Sequence, residues 1–247
     1  MTYLDEVKAL PHLNPISAWD VRREHLRMLL LEHEDWGKFK EWSTVGAALY
    51  SGMIPSIEEE RRSCGGTMWR TLLQNFGDEN GTAVRQAYSL SRYEDITGRQ
   101  LTSEDQFVEF GGGYGEMARM VFLACNPMSY TIYDFPVLGI LQRWYLSNFL
   151  GLRLNSVKTT FDADDIPPEP MILISICGIS EAPIEDKIMF LDKVHADSML
   201  IRYQENWDAV NNREFLHEYA NKWYKNVYDE EAPQFKSHHY LIAWDRK

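Results

Sequence analysis

The chain has 247 residues, 45% of them apolar and 25% charged, which argues against a disordered or fibrous protein and fits an α/β domain with a smaller helical piece. Asp plus Glu outnumber Lys plus Arg by 37 to 25, for a net charge of −12; no basic run exceeds Arg61-Arg62, so no nucleic-acid partner is expected. No apolar run approaches the ~20 residues of a membrane span, and the opening MTYLDEVKAL lacks the apolar segment of a signal peptide, so a soluble, cytoplasmic protein without a membrane partner is expected.

Residues 1–100 read as a helical N-terminal region that lids a site or makes a dimer contact. Val21, Leu26, Leu29 and Leu30 recur at helical spacing between Ser17 and about Lys40, with Ser17 placed to cap the start. Further helices are expected over Ile57–Leu73 and from about Thr82 to Thr97. Gly-Met-Ile-Pro at 52–55, Gly65-Gly66 and the Gly77–Gly81 stretch separate them.

From residue 101 to 247 the pattern changes. Short runs rich in β-branched and aromatic residues, Gln106–Phe110, Tyr130–Tyr133, Val157–Phe161, Met171–Cys177 and Ser198–Tyr203, alternate with helical stretches at Glu116–Cys125, Val137–Leu150 and Ile184–Val194. This alternation predicts five parallel strands joined by right-handed crossovers. A helix near Asn211–Asn221 precedes two strands, Trp223–Tyr228 and Tyr240–Trp244. Too few residues separate those two for a crossover, so they are expected to pair antiparallel. The predicted fold is an α/β, Rossmann-like sheet of five parallel strands finished by an antiparallel hairpin, with an N-terminal helical extension.

The strongest local signal is Glu109-Phe110-Gly111-Gly112-Gly113-Tyr114-Gly115, which ends one predicted strand and opens a helix. Glycine permits a sharp turn at positive φ, and the following helix aims its free N–H groups at whatever lies there; the alternative is a tight turn with no ligand. A dinucleotide fingerprint anchored on Gly111 and Gly113 needs glycine at 116, where the chain has Glu. The loop instead matches E-x-G-x-G-x-G, which suits a ligand without phosphates that carries an ammonium and a carboxylate. S-adenosylmethionine has both. The loop lacks the G-K-[ST] ending, so no P-loop is present.

Further acids are expected at strand ends. Asp134 stands 21 residues beyond Gly113 and can accept from both ribose hydroxyls, or cap the helix that begins at Pro136. Asp162, with Asp164 and Asp165, follows the third strand; one of them can accept from an adenine amino group, or all three form a solvated turn. The same three could hold magnesium, but the turn is preferred and no metal site is expected. Cys64, Cys125 and Cys177 show no C-x-x-C spacing, which argues against a disulfide framework or a zinc site, and Cys177 reads as a small core residue.

VEFGGGYGEMARM, YTIYDFP, LQRWYLSNF and ISICGISEAP resemble the sugar O-methyltransferases, a class I S-adenosylmethionine-dependent family. The resemblance covers roughly residues 85–195, including AYSLSRYEDITG; the last fifty residues match loosely and the first eighty hardly at all. Trp144 stands where Tyr is more usual. The resemblance implies S-adenosylmethionine as cofactor, with Gly111, Gly113, Gly115 and Asp134 in its site, and Ser180 and Glu181 beside it. It also implies a small, sugar-containing substrate.

Methyl transfer to oxygen needs a hydroxyl held in line with the sulfonium carbon and relieved of its proton. Beyond the carboxyl ends of the strands stand Ser180, Glu181, Gln204 and Glu205, and near the hairpin His238 and His239. Glu181, His238 and His239 are the catalytic candidates; Glu109, Gly111, Gly113, Gly115, Asp134, Asp162 and Ser180 are the cofactor-binding candidates. Glu181 also reads as an acid near a helix start before Pro183. The two adjacent histidines point to opposite faces of a strand, so at most one faces the site. Arg92 and Tyr93 can close over the donor or lie on a helix surface, and Trp207 is the tryptophan placed to stack on a sugar. The expected function is methyl transfer to a sugar hydroxyl, by a possible homo-oligomer. The alternatives are an amine or carboxylate acceptor, or a donor-binding protein without catalysis.

Overall fold

In the computed structural model the described residues are 2–11, 18–32, 81–168, 171–232 and 237–247. The expected helix over Ile57–Leu73, the Ser17 cap and Cys64 lie outside them. Two helices open the chain, α1 (Tyr3–Ala9) and α2 (Ala18–Glu32), and α3 (Gly81–Thr97) precedes the sheet. Helix α1 was not foreseen. A reciprocal capping box starts it: the Asp5 N–H donates to the Thr2 hydroxyl and the Thr2 N–H donates to the Asp5 carboxylate, which satisfies donors that a short helix leaves open.

The alternating region folds in the order β1 (Gln106–Phe110), α4 (Glu116–Ala124), β2 (Ser129–Tyr133), α5 (Pro136–Leu150), β3 (Val157–Thr160), β4 (Ile172–Ile176), α6 (Gly178–Glu181), α7 (Ile184–Lys193) and β5 (Ser198–Gln204). A two-strand ribbon, β6 (Asn206–Trp207) with β7 (Val210–Asn211), then leads to α8 (Asn212–Trp223), β8 (Tyr224–Glu231) and β9 (His238–Arg246). One seven-stranded sheet results, ordered β3-β2-β1-β4-β5-β9-β8. Strands β1 to β5 pair in parallel, and β9 runs antiparallel to both β5 and β8. This is the expected doubly wound, Rossmann-like α/β sheet with a reversed edge. The hairpin strands run longer than their apolar pattern indicated, because hydrogen-bonded pairing carries polar residues such as His238, His239 and Glu230 into the ladder.

The strands are apolar along their length because both faces of the sheet are covered. Alternate residues feed two cores, as a period of two requires. Phe107, Ile172, Ile174, Leu200 and Ile242 join one, with buried residues of α3, α4 and α5. Val108, Leu173, Met199, Ile201 and Leu241 join the other, against α6, α7 and α8. Helix α3 is part of the first core: Ala83, Val84, Ala87, Tyr88, Leu90 and Tyr93 are all buried in it. Helices α1 and α2 pack on α5 through a third cluster that holds Val7, Leu30, Val137 and Ile140.

Candidate functional site

The glycine loop turns the chain from β1 into α4 through three left-handed residues, Gly111 (φ 76°), Gly113 (φ 57°) and Gly115 (φ 101°), a region that side chains enter at a cost of about 1–2 kcal/mol each. The Gly111 N–H donates to the Tyr133 carbonyl at 2.9 Å, and the Gly115 N–H to the Gly112 carbonyl at 2.9 Å. A Cβ at Gly112 would stand 2.5 Å from an Ile132 methyl, whereas one at Gly113 would meet nothing within 4 Å. Gly111 and Gly112 are thus required by packing, and Gly113 borders open space.

Asp134 ties this loop to the end of β2. Its Oδ2 accepts from the Gly113 N–H at 3.1 Å and from Gln142 Nε2 at 2.9 Å, while Oδ1 accepts from the Phe135 N–H at 2.8 Å. Phe135, extended, is the N-cap residue of α5, and Pro136 takes the first helical position, where its missing N–H costs nothing. Burial pushes the Asp134 carboxyl up to about 7, against the opposing pull of these hydrogen bonds.

A cavity of about 470 Å³ opens beside the loop. Glu109, Gly111, Gly113 and Tyr114 line one end, and Glu181, Arg202, Gln204 and His238 the other, with Thr82, Arg85 and Gln86 of α3 forming a wall. Its volume lies in the range of small-molecule sites. A second cavity, of about 320 Å³, is lined by Asp134 and Phe135 with residues of α1, α5 and the end of β3; Asp134 borders this space and reaches the first cavity through its bond to the Gly113 N–H.

Glu109 is 2% exposed. It accepts from the Tyr130 hydroxyl at 2.9 Å; even so, burial, with a smaller contribution from the Asp134 charge, pushes its carboxyl up to about 8. A buried carboxyl in this state gains most from a cation placed beside it. Glu116, the acid that takes the place of a third dinucleotide glycine, is turned inward, where the Tyr145 hydroxyl donates to it and Arg119 lies 3.4 Å away.

His238 and His239 point to opposite faces, as adjacent strand residues must. His238 lines the cavity with its Nδ1 4.0 Å from Cys177 Sγ. Burial, then the charges of Arg202, His239 and Arg85, lowers its imidazole to about 4. His239 stacks on Tyr203 outside the cavity, bonded to Asp229 at 2.9 Å and to Glu205 at 3.1 Å. Glu181 lines the cavity with Gln204 Nε2 at 3.4 Å from its Oε1.

The remaining sequence candidates stand elsewhere. Ser180 is fully buried and donates to the Cys177 carbonyl at 2.8 Å. Asp162 caps a 3-10 turn, accepting from the Asp164 N–H at 2.9 Å, and Asp164 and Asp165 pair with Lys193 and Lys158. Among the described residues no group of acids, cysteines and histidines is placed to hold a metal. Arg92 clamps Glu230 and Tyr93 bonds Ser198 at 2.6 Å, so α3 faces the cavity through Thr82, Arg85 and Gln86 instead. Trp207 lies in the β6–β7 ribbon, outside the cavity lining. Cys177, read from sequence as a core residue, is half-buried, adopts φ 67° and borders the cavity, because the turn from β4 into α6 lifts it out of the sheet.

The residues that sequence reasoning missed are Arg85 and Arg202. Arg202 had a signal, a lone charge in the apolar strand SMLIRYQ. Arg85 had a fainter one, since Thr82, Arg85 and Gln86 are polar neighbours at helical spacing in the first half of α3, whose other positions from Ala83 to Ser91 are buried.

No family model and no curated protein matches the chain. Among solved structures it is similar to the methyltransferase domain of bacterial CtHen1-CN, at 9% identity over 65% of this chain and 97% of that one, with a TM-score of 0.49. It is similar to precorrin-6y C5,15-methyltransferase from Geobacter metallireducens GS-15, at 13% identity over 65% and 87%, with a TM-score of 0.45. A third is phosphoethanolamine N-methyltransferase 2 of Haemonchus contortus in complex with phosphomonomethylethanolamine and S-adenosylhomocysteine, at 11% identity over 66% and 52%, TM-score 0.48. Likeness this distant leaves the chemistry to be argued from the site's own residues.

Proposed function

We propose that this chain is an S-adenosylmethionine-dependent methyltransferase that methylates a hydroxyl of a small, sugar-containing molecule. The observation that carries the donor half is the glycine loop bracketed by two carboxyls, the buried Glu109 and the half-buried Asp134, both pushed up into the neutral range. A ligand that brings a cation and hydroxyl donors relieves both, and S-adenosylmethionine carries an ammonium, a sulfonium and a ribose diol. When bound, it supplies an electrophilic methyl group.

Glu109, Gly111, Gly113, Gly115 and Asp134 would hold the donor. Asp162 and Ser180 are engaged in local turn bonds and leave that role to the others. On the acceptor side His238 is the base: its environment keeps the imidazole neutral, the form that accepts a hydroxyl proton. Glu181, across the same end of the cavity, positions the acceptor. His239 holds the hairpin instead. The sugar assignment rests on the sequence resemblance over residues 85–195, together with the hydrogen-bonding side chains of Gln86, Glu181, Gln204 and His238 in the cavity wall.

Calorimetric titration with S-adenosylmethionine and S-adenosylhomocysteine tests the donor half, with a nicotinamide dinucleotide as control. Micromolar or tighter binding of the first two is expected, and preference for the dinucleotide overturns the reading. Transfer of a labelled methyl group to a panel of glycosides tests the other half. Donor binding with no transfer to any glycoside, amine or acid leaves a donor-binding protein without catalysis.

A further inference from the structure

Helix α6 is four residues long and brings Glu181 to the cavity. A helix this short is not held by its own hydrogen bonds, so its position is set from outside. On the donor side the fully buried Ser175 hydroxyl donates to the Phe110 carbonyl at 2.9 Å and accepts from the Ile179 N–H at 2.9 Å. That pair of bonds fixes the start of α6 on the end of β1.

A second buried group holds the other side. Lys187 of α7 is 0% exposed, and its Nζ donates to the Ser180 carbonyl at 3.1 Å and to Asn212 Oδ1. Asn212, the first residue of α8 and equally buried, donates from Nδ2 to the same Ser180 carbonyl at 3.0 Å and to the Gln204 carbonyl at 2.9 Å. One side-chain amide thus bridges the turn that carries Glu181 and the end of the strand that carries Gln204. The side chains of those two residues meet at 3.4 Å in the cavity wall. Burial pushes the Lys187 amine down to about 8, against the opposing pull of the Asp208 charge. An ammonium withdrawn from water is costly, and an apolar side chain would fill such a space without that cost. What the lysine adds is a directed bond to a carbonyl.

Resting on the reading of Glu181 as the group that positions the acceptor, we propose that Lys187 and Asn212 are positioning residues of the acceptor site. They hold the Ser180 and Gln204 carbonyls together, and so set where Glu181 and Gln204 stand in the cavity. Neither lines the cavity; both act through the backbone that carries the two lining side chains.

The test compares the wild type with Asn212→Asp, Lys187→Met and the double variant Lys187→Met/Asn212→Leu. Asn212→Asp keeps an oxygen for Lys187 but loses the N–H donors to both carbonyls, which separates anchoring the lysine from holding the two turns. The double variant removes both polar partners together, so folding does not depend on an orphaned amine or amide. Hydrogen exchange of the full chain, read by mass spectrometry, is expected to quicken about tenfold or more in segments 178–183 and 204–210, with β1 and β2 as protected as before. Transfer of a labelled methyl group from S-adenosylmethionine is measured with methyl glucoside, methyl galactoside and methyl rhamnoside. The acceptor KM should rise about tenfold or more, while kcat falls less than about threefold and S-adenosylhomocysteine affinity stays within about twofold. A purely structural role would lower the Tm and leave the acceptor KM unchanged. Unchanged exchange in the two segments, an unchanged KM in both Asn212→Asp and the double variant, or an equal loss of donor affinity overturns the proposal. If the wild type methylates none of the three glycosides, the sugar reading fails instead, and exchange in the two segments decides whether the network holds them.

Discussion

Gly111 and Gly178 stand backbone to backbone: a Cβ on Gly111 would lie 2.8 Å from the Gly178 Cα, and one on Gly178 would lie 2.9 Å from the Gly111 Cα and 2.6 Å from the Phe110 carbonyl oxygen. The turn after β1 and the turn after β4 therefore meet with no room for a side chain. Gly178→Ala is expected to destabilise the protein by about 1–3 kcal/mol, as overpacking does. Gly113→Ala meets no neighbour and carries only the left-handed backbone cost, about 1–2 kcal/mol, but its methyl enters the cavity and should weaken donor binding at least tenfold. Urea denaturation beside S-adenosylhomocysteine titration separates the two, and a neutral Gly178→Ala would refute the packing.

Donor binding should release protons. With Asp134 held at about 7 and Glu109 at about 8, both carboxyls are partly protonated at pH 6.5. Ribose hydroxyls donating to Asp134 and a cation beside Glu109 favour the ionised forms, so affinity should rise between pH 6 and 8. Calorimetry at pH 6.5 in two buffers of different ionisation enthalpy reads the release directly. Asp134→Asn should remove its share and lower affinity by about 10–100-fold, the worth of hydrogen bonds to a charged group. No proton release would take both acids out of the site.

The two adjacent histidines should behave oppositely. His238→Gln is expected to lower kcat by about 10²–10⁴-fold while donor affinity stays within twofold. His239→Gln is expected to lower the Tm and leave kcat nearly unchanged, since its partners are Asp229 and Glu205 outside the cavity. With the imidazole of His238 at about 4, its protonation should leave the rate flat from pH 5 upward and reduce it only as the pH falls towards 4. Reversal of the two phenotypes would reassign the base.

Asp229 should govern acid stability. Burial alone would raise its carboxyl, but hydrogen bonds from His217 at 2.5 Å, Tyr203 at 2.9 Å and His239 at 2.9 Å hold it below the ordinary aspartate range. A depressed folded pKa stabilises the fold above the unfolded value, and that stability is lost as the pH falls through the folded value. Asp229→Asn should therefore cost about 1–3 kcal/mol at pH 7, and its stability should change less with pH below 4 than the wild type's. Parallel acid-unfolding curves would exclude the role.

Arg92 and Glu230 hold α3 against the hairpin through paired bonds of 2.7 and 2.9 Å between half-buried side chains. Arg92→Ala should lower stability by about 1–2 kcal/mol. Because the same helix carries Arg85, the acceptor KM should rise more than kcat falls. Restored KM in Arg92→Lys would show that the charge contact, and not packing of the stem, sets the position.

Most of the sheet was legible because its signals are local. The strand at Gln106–Phe110 agrees residue for residue, and α3, α4, α5 and α7 fall within a residue or two of their predicted ends. Helix α6 and the β6–β7 ribbon escaped, being too short for a periodic pattern to register. Arg92 and Tyr93 stand near the loop in sequence, yet Tyr93 is buried in the core, and Arg92, on the same face of α3 as Arg85 but two turns further along the axis, reaches the hairpin while Arg85 borders the cavity.

The glycine loop, the acid 21 residues beyond it and the five-plus-two order of strands were determined by the chain itself, because backbone conformation and hydrophobic period are properties of neighbouring residues. Which groups share a cavity was decided only by tertiary structure. Arg85 and Arg202 are separated by most of the sheet in sequence and meet at His238, and His238 and His239, adjacent in sequence, part to opposite faces. Burial and electrostatic potential depend on distant neighbours, so the charge states of Glu109, Asp134 and His238 took shape only with the fold.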